Sequence, residues 1–146
     1  MTKEVLVHIT GLHLEAGTDV SENKETETIE VVVPGNYYLK NGKKYILYEE
    51  IEEDGRITKN QVKVFEDGHV EIRKSGVLNT QMIFETGKRN QSNYQTPFGV
   101  LPVALDTRVI DVAESEHKFC VEIDYSLEVQ EKPVSDCRIE ICITER

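Results

Sequence analysis

Tryptophan is absent from this chain. Basic residues are scarce beside acidic ones, with 17 Lys and Arg against 27 Asp and Glu and a net charge of −10. Such a field repels phosphate backbones and anionic lipid, so nucleic acid and an anionic membrane surface are both disfavoured as partners. Long apolar runs are missing as well. No window approaches the roughly 18 apolar residues that a membrane-crossing helix needs. The opening residues, Met1 to His8, carry no apolar signal-peptide core and no small-residue cleavage site, which predicts a cytoplasmic protein. Cysteine is sparse. Cys120, Cys137 and Cys142 are odd in number and widely spaced, so reduced thiols are expected. No stretch shows a helical period, which leaves a nearly all-β reading.

What is present is turn chemistry between strands. Asn41-Gly42, Asp54-Gly55 and Asp67-Gly68 start 13 residues apart in each interval. Asn-Gly and Asp-Gly tolerate the positive φ angles of a two-residue type I′ turn. Runs rich in Val, Ile, Tyr and Phe lie between them. Evenly spaced turns between long strands predict an antiparallel meander.

A first strand spans 4 to 14, with Gly11 suggesting a bulge or bend. Residues 15 to 27 are a polar, acidic connection. Thr28 to Val33 is a β-branched strand ended by Pro34-Gly35, and its Val31-Val32-Val33 run suggests burial on both faces or a bend. Lys43 to Glu53 returns from the Asn41-Gly42 turn, with Tyr45, Leu47 and Ile51 on one face and Ile46 and Tyr48 on the other. Ile57 is out of phase with Val62 and Val64, which predicts a bulge near Asn60. Val70 and Ile72 oppose His69, Glu71 and Arg73. Leu78, Thr80, Met82 and Phe84 alternate, as do Cys137, Ile139, Ile141 and Ile143, which follow a loop around Lys132-Pro133.

Residues 88 to 96 are polar yet compatible with a strand. Val100 to Leu105 and Arg108 to Ala113 read as two short strands. The clearest strand is Lys118 to Gln130. Phe119, Val121, Ile123, Tyr125, Leu127 and Val129 take its odd positions, with polar residues and Cys120 between. Long strands in a meander leave costly open edges unless the sheet closes. The expectation is one domain over 1–146, an all-β antiparallel meander closed into a barrel of eight to ten strands.

Chemistry-bearing constellations are weak. His8 and His13 are five apart, so on a regular strand they face opposite sides, and Cys137 and Cys142 fail the same test. There is no CxxC and no HExxH, so no metal and no cofactor is expected. Glu49, Glu50, Glu52 and Glu53 cluster beside a turn, where carboxylates are usually solvated. Neither Cys120, on the predicted wet face, nor Cys137, on the buried one, has a local base. If the last two strands form a hairpin, Cys120 and Cys142 become diagonal neighbours outside. No catalytic residue emerges.

The run from Gly35 to Glu50 (Gly35-Asn36-Tyr37-Tyr38-Leu39-Lys40-Asn41-Gly42-Lys43-Lys44-Tyr45-Ile46-Leu47-Tyr48-Glu49-Glu50) resembles the start of the small YwiB-like proteins of Gram-positive bacteria. The similarity continues in Val70 to Gly76, in Met82-Ile83-Phe84 and in Tyr94-Gln95-Thr96-Pro97-Phe98-Gly99. It covers most of the chain. It implies a lipocalin-like, calycin-type barrel and brings no catalytic residue with it.

A barrel interior leaves room for side chains or for one small ligand. Tyr38, Tyr48, Arg73, Tyr94 and Phe98 are the candidates to line a cavity or its mouth. Tyr offers an apolar body with a polar tip, and Arg73 suits a carboxylate or phosphate head group. The bland alternative packs the tyrosines at strand ends, pairs Arg73 with a surface Glu and makes Thr96-Pro97-Phe98-Gly99 a simple corner. The leading expectation is a non-enzymatic module for a small apolar or amphipathic ligand. The alternative is a protein-interaction or regulatory module with a self-filled core, and an enzyme ranks third.

Overall fold

A computed structural model describes residues 2–15, 27–51, 53–76, 79–96, 99–130 and 132–146. Ten strands follow in order: β1 (Thr2–Glu15), β2 (Glu27–Lys40), β3 (Lys43–Ile51), β4 (Ile57–Val64), β5 (Val70–Ser75), β6 (Thr80–Phe84), β7 (Arg89–Thr96), β8 (Gly99–Glu114), β9 (Lys118–Val129) and β10 (Lys132–Glu145). Every pairing is antiparallel, and the sheet order is β6-β5-β4-β3-β2-β1-β10-β9-β8-β7. Sequence neighbours pair throughout, and β1 joins β10. The strip curls until β6 lies against β7, giving a nearly closed barrel.

That last seam is held by side chains. The Ser92 hydroxyl donates to the Gln81 carbonyl, and the Tyr94 hydroxyl donates to Met82 Sδ at 3.1 Å. Inside, the Phe84 ring from β6 meets Tyr125 from β9 at 4.9 Å. Period-two alternation builds the core. In β9, Phe119, Val121, Ile123 and Tyr125 are buried, while Cys120, Glu122 and Asp124 between them are only partly covered. Val7, Ile46, Val62, Val70, Phe84 and Ile141 complete a single apolar cluster.

The turns differ from one another. Asn41 and Gly42 both have positive φ, 53° and 76°, as a type I′ turn requires. At the other two sites only the glycine is positive, Gly55 at 86° and Gly68 at 94°. Gly68 closes a longer loop in which its N–H donates to the Phe65 carbonyl at 3.0 Å, and the Phe65 N–H donates to His69 at 3.0 Å. The Asp67 side chain accepts from the His69 N–H, and that bond holds its carboxyl below the usual carboxylate range.

Several local expectations are corrected. β2 runs straight through Pro34-Gly35. Pro34 is tolerated because β2 has no β3 partner before Gly35, so it stands in an edge segment. Val32 is exposed while Val31 and Val33 are half-covered, which is plain alternation. The register passes Gly11 and Asn60 unbroken, so neither bulge forms, and Ile57 instead faces outward opposite Ile51. The breaks in register fall at Thr107/Val109 and Pro133/Ser135. The first fuses the two short strands expected around residues 100–113 into β8. The second puts Lys132-Pro133 inside β10, after a turn in which Gln130 takes φ 52°.

The register also pairs Cys142 directly with Cys120 across β9 and β10, not diagonally. The two form a disulfide, which overturns the expectation of three reduced thiols, while Cys137 is buried and takes no part in it. The acidic connection at 16–26, Glu52, Leu78 and the Pro97-Phe98 corner lie outside the described residues. Among the described residues no helix is long and apolar enough to cross a membrane.

Candidate functional site

The site begins as a fork in the wall. β2 follows β1 from Tyr38 back to Glu27, but it pairs with β3 only from Gly35 to Lys40. Past Tyr48, β3 stays with β4 as far as Ile51 opposite Ile57. Gly35 sits at the branch point. A Cβ there would lie 2.6 Å from the Leu47 carbonyl and 2.7 Å from Val7 Cγ2, so only glycine allows the strands to approach this closely.

The fork opens a cleft of about 1140 Å³. Val31 and Val33 line it from β2, Tyr48 from β3 and Asn60 from β4, all at inward-facing positions. Leu47, Ile51 and Ile57 extend its apolar surface on the outer side of the fork. Charge at the rim is mixed. Glu4, Glu49 and Glu50 stand against Lys59, Arg73 and Arg146. Glu50 is 3.7 Å from Lys74, and Arg73 donates to Glu71 at 3.2 Å.

Two of the lining residues are buried and polar. Asn60 is 2% exposed and its Nδ2 reaches the Thr58 carbonyl at 3.4 Å, but its Oδ1 has no hydrogen-bond partner among the described residues. Tyr48 is its direct cross-strand partner and is also buried. Burial pushes the Tyr48 phenol well above its ordinary value, with the Glu50 carboxylate adding to the effect. The phenol therefore stays protonated and can donate or accept, while Asn60 Oδ1 can only accept.

The chain matches, over residues 13–141, the family described as "Domain of unknown function (DUF1934)". It belongs to the DUF1934 family. It is 31% identical over 120 residues to the "Uncharacterized beta-barrel protein YwiB" of Bacillus subtilis (strain 168), covering 82% of this chain and 83% of that one. The crystal structure of the ywiB protein from Bacillus subtilis superposes with a TM-score of 0.82 at 26% identity, across 99% of this chain and 93% of that one. The fold of this DUF1934 chain, a nearly closed antiparallel barrel of ten strands, thus has a solved counterpart.

The sequence candidates fall in different places. Tyr48 and Arg73 both border the cleft, Tyr48 from inside and Arg73 from the exposed rim. Tyr94 is half-buried in the interior on β7, and burial pushes its phenol up to about 12. Tyr38 faces outward and stacks on Tyr45 with ring centroids 4.6 Å apart. Phe98 lies outside the described residues. Asn60, a buried polar residue in the lining of the cleft, was not among the candidates. The signal was there in the alternation, since Asn60 shares parity with Val62 and Val64, an apolar face where an amide is costly without partners. Among the described residues no three His, Cys, Asp or Glu side chains gather as a metal site would require.

Proposed function

We propose that this protein is a non-enzymatic binding module that takes one small amphipathic molecule in the cleft between β2 and β3. The observation that carries the reading is Asn60, which lines a cleft of about 1140 Å³ and whose buried Oδ1 has no hydrogen-bond partner among the described residues. A buried, unpaired acceptor costs about 1–3 kcal/mol, so a molecule that supplies an N–H or O–H there recovers that cost on binding. Val31, Val33 and Leu47 offer an apolar bed for the rest of the molecule. In lipocalin terms the chain is a carrier whose cargo enters through the wall, because its interior is occupied by its own core.

An anilinonaphthalene sulfonate probe, an apolar ring system with an anionic end, tests the cleft directly. It brightens at one site per chain in the natural protein and stays dim with Val31→Trp, which fills the cleft. Equal brightness in the two proteins, or none in either, overturns the reading. A second reading, a protein-interaction module, is supported by Ile51 and Ile57. They form an outward cross-strand pair with exposures of 78% and 50%.

A further inference from the structure

We infer that Cys120 and Cys142 form a thiol–disulfide exchange site on the outer wall, with His8 as the group that favours Cys142 as the leaving thiolate. The site is separate from the cleft. It rests on the placement of four residues across four adjacent strands. The β9–β10 register sets Cys142 opposite Cys120, with Cα atoms 4.1 Å apart and a disulfide between the sulfurs. The β1–β10 register sets His8 opposite Cys142 on that same outer face. From β2, Glu30 Oε1 lies 2.7 Å from His8 Nε2. The contact anchors the imidazole on the outer face, on the strand beside Cys142.

The ladder explains why the pair can open without unfolding. Backbone pairing continues on both sides of the disulfide, from Lys118↔Thr144 to Val129↔Lys132. The two Cα atoms are held in place by the sheet whether or not the sulfurs are joined. A dithiol pinned at this spacing recloses readily, because almost no chain entropy is lost on closure. Other charged groups around the pair on this face are Lys118, Glu122 and Glu140, with Asp111 from β8, and Glu122 is taken up by Arg138 at 3.3 Å.

Burial sets the direction of attack. Cys142 is 8% exposed, whereas Cys120 is only partly covered. An incoming small-molecule thiolate therefore attacks Cys120 Sγ. A new S–S bond forms to Cys120, the Cys120–Cys142 bond breaks, and its electron pair leaves on Cys142 beside the imidazole. A second thiolate attacks the sulfur of the first, expelling Cys120 as thiolate. Two external thiols lose two electrons and two protons and leave as their own disulfide. The protein gains both and ends with two thiols. In a reducing compartment the pair rests open, and it closes when oxidised thiol accumulates.

The test uses the full chain in glutathione buffers of graded ratio, with free thiols counted by alkylation and mass. We expect Cys120 and Cys142 to open and close together, reversibly, while near-ultraviolet circular dichroism stays native. Cys137→Ser changes none of this. With oxidised glutathione, Cys142→Ser forms a mixed disulfide at Cys120 faster than Cys120→Ser does at Cys142. His8→Gln slows opening about threefold, without moving the end point or the dichroism. Three free thiols at every ratio, or opening only in denaturant, overturns the exchange site. An unchanged opening rate in His8→Gln overturns the role of His8.

Discussion

Asn60 faces Tyr48 directly across the β3–β4 ladder, and its buried Oδ1 has no hydrogen-bond partner among the described residues. Fold stability and ligand capture make opposite demands on such a group. Replacing it with an apolar side chain of similar size removes the desolvation cost, so Asn60→Leu is expected to leave stability unchanged or raise it by about 1 kcal/mol. Asn60→Asp buries a charge instead and lowers stability. Urea unfolding midpoints of the three proteins check the order. A clear loss in Asn60→Leu would mean that the amide already has a structural partner.

The fork depends on Gly35. An alanine Cβ would press on a backbone carbonyl of β3 as well as on Val7, and a carbonyl in a ladder has little room to move. Gly35→Ala is expected to cost about 1–3 kcal/mol. Gly11 provides the control, since nothing lies within 4 Å of the added carbon. Gly11→Ala is expected to stabilise by about 0.5 kcal/mol through the unfolded chain. Equal effects at the two positions would contradict this account of the branch point.

Closure of the barrel rests on Phe84, fully buried on β6 and in ring contact with Tyr125 from β9. Phe84→Ala is expected to cost about 3–5 kcal/mol. Hydrogen exchange should also quicken first in β6 and β7, whose mutual seam is side-chain contact. Exchange that quickens uniformly would contradict that picture of the seam.

Burial raises the phenols of Tyr48, Tyr94 and Tyr125, with Cys137 and Tyr94 adding to the effect at Tyr125. The folded chain keeps protons that the unfolded chain releases near the ordinary tyrosine value of about 10. The stability linked to them is complete below that pH and is lost as pH rises through the folded values. Urea midpoints should fall above a pH of about 10, with tyrosinate absorbance from these three rings appearing together with unfolding. Early ionisation of all three in a folded chain would contradict their burial.

Much of the architecture was legible because alternation is a local signal. Lys118 to Gln130 announced β9 without help from the rest of the chain, and Asn41-Gly42 announced its turn. The errors came where pairing partners decide. Pro34-Gly35 ends most strands, but here Pro34 stands in an edge and Gly35 is required by Leu47 and Val7. Ile57 looked out of phase because an outward isoleucine is unusual, and its reason is the cleft and Ile51. The Cys120–Cys142 pairing depended on a register fixed by the turn at Gln130 and the shift at Pro133/Ser135. Of the candidate site, Tyr48 and Arg73 could be named from the sequence. The fork that brings them to one cleft with Asn60 is a matter of where β2 leaves β3, which no local pattern encodes.

Mass measured under native and denaturing conditions, on protein purified from its own cells, tests the central claim most directly. The account predicts a small extra mass on the natural protein that disappears on denaturation and is absent from Asn60→Leu and Val31→Trp. The bare chain mass for all three proteins, or a second protein in place of a small molecule, would contradict it.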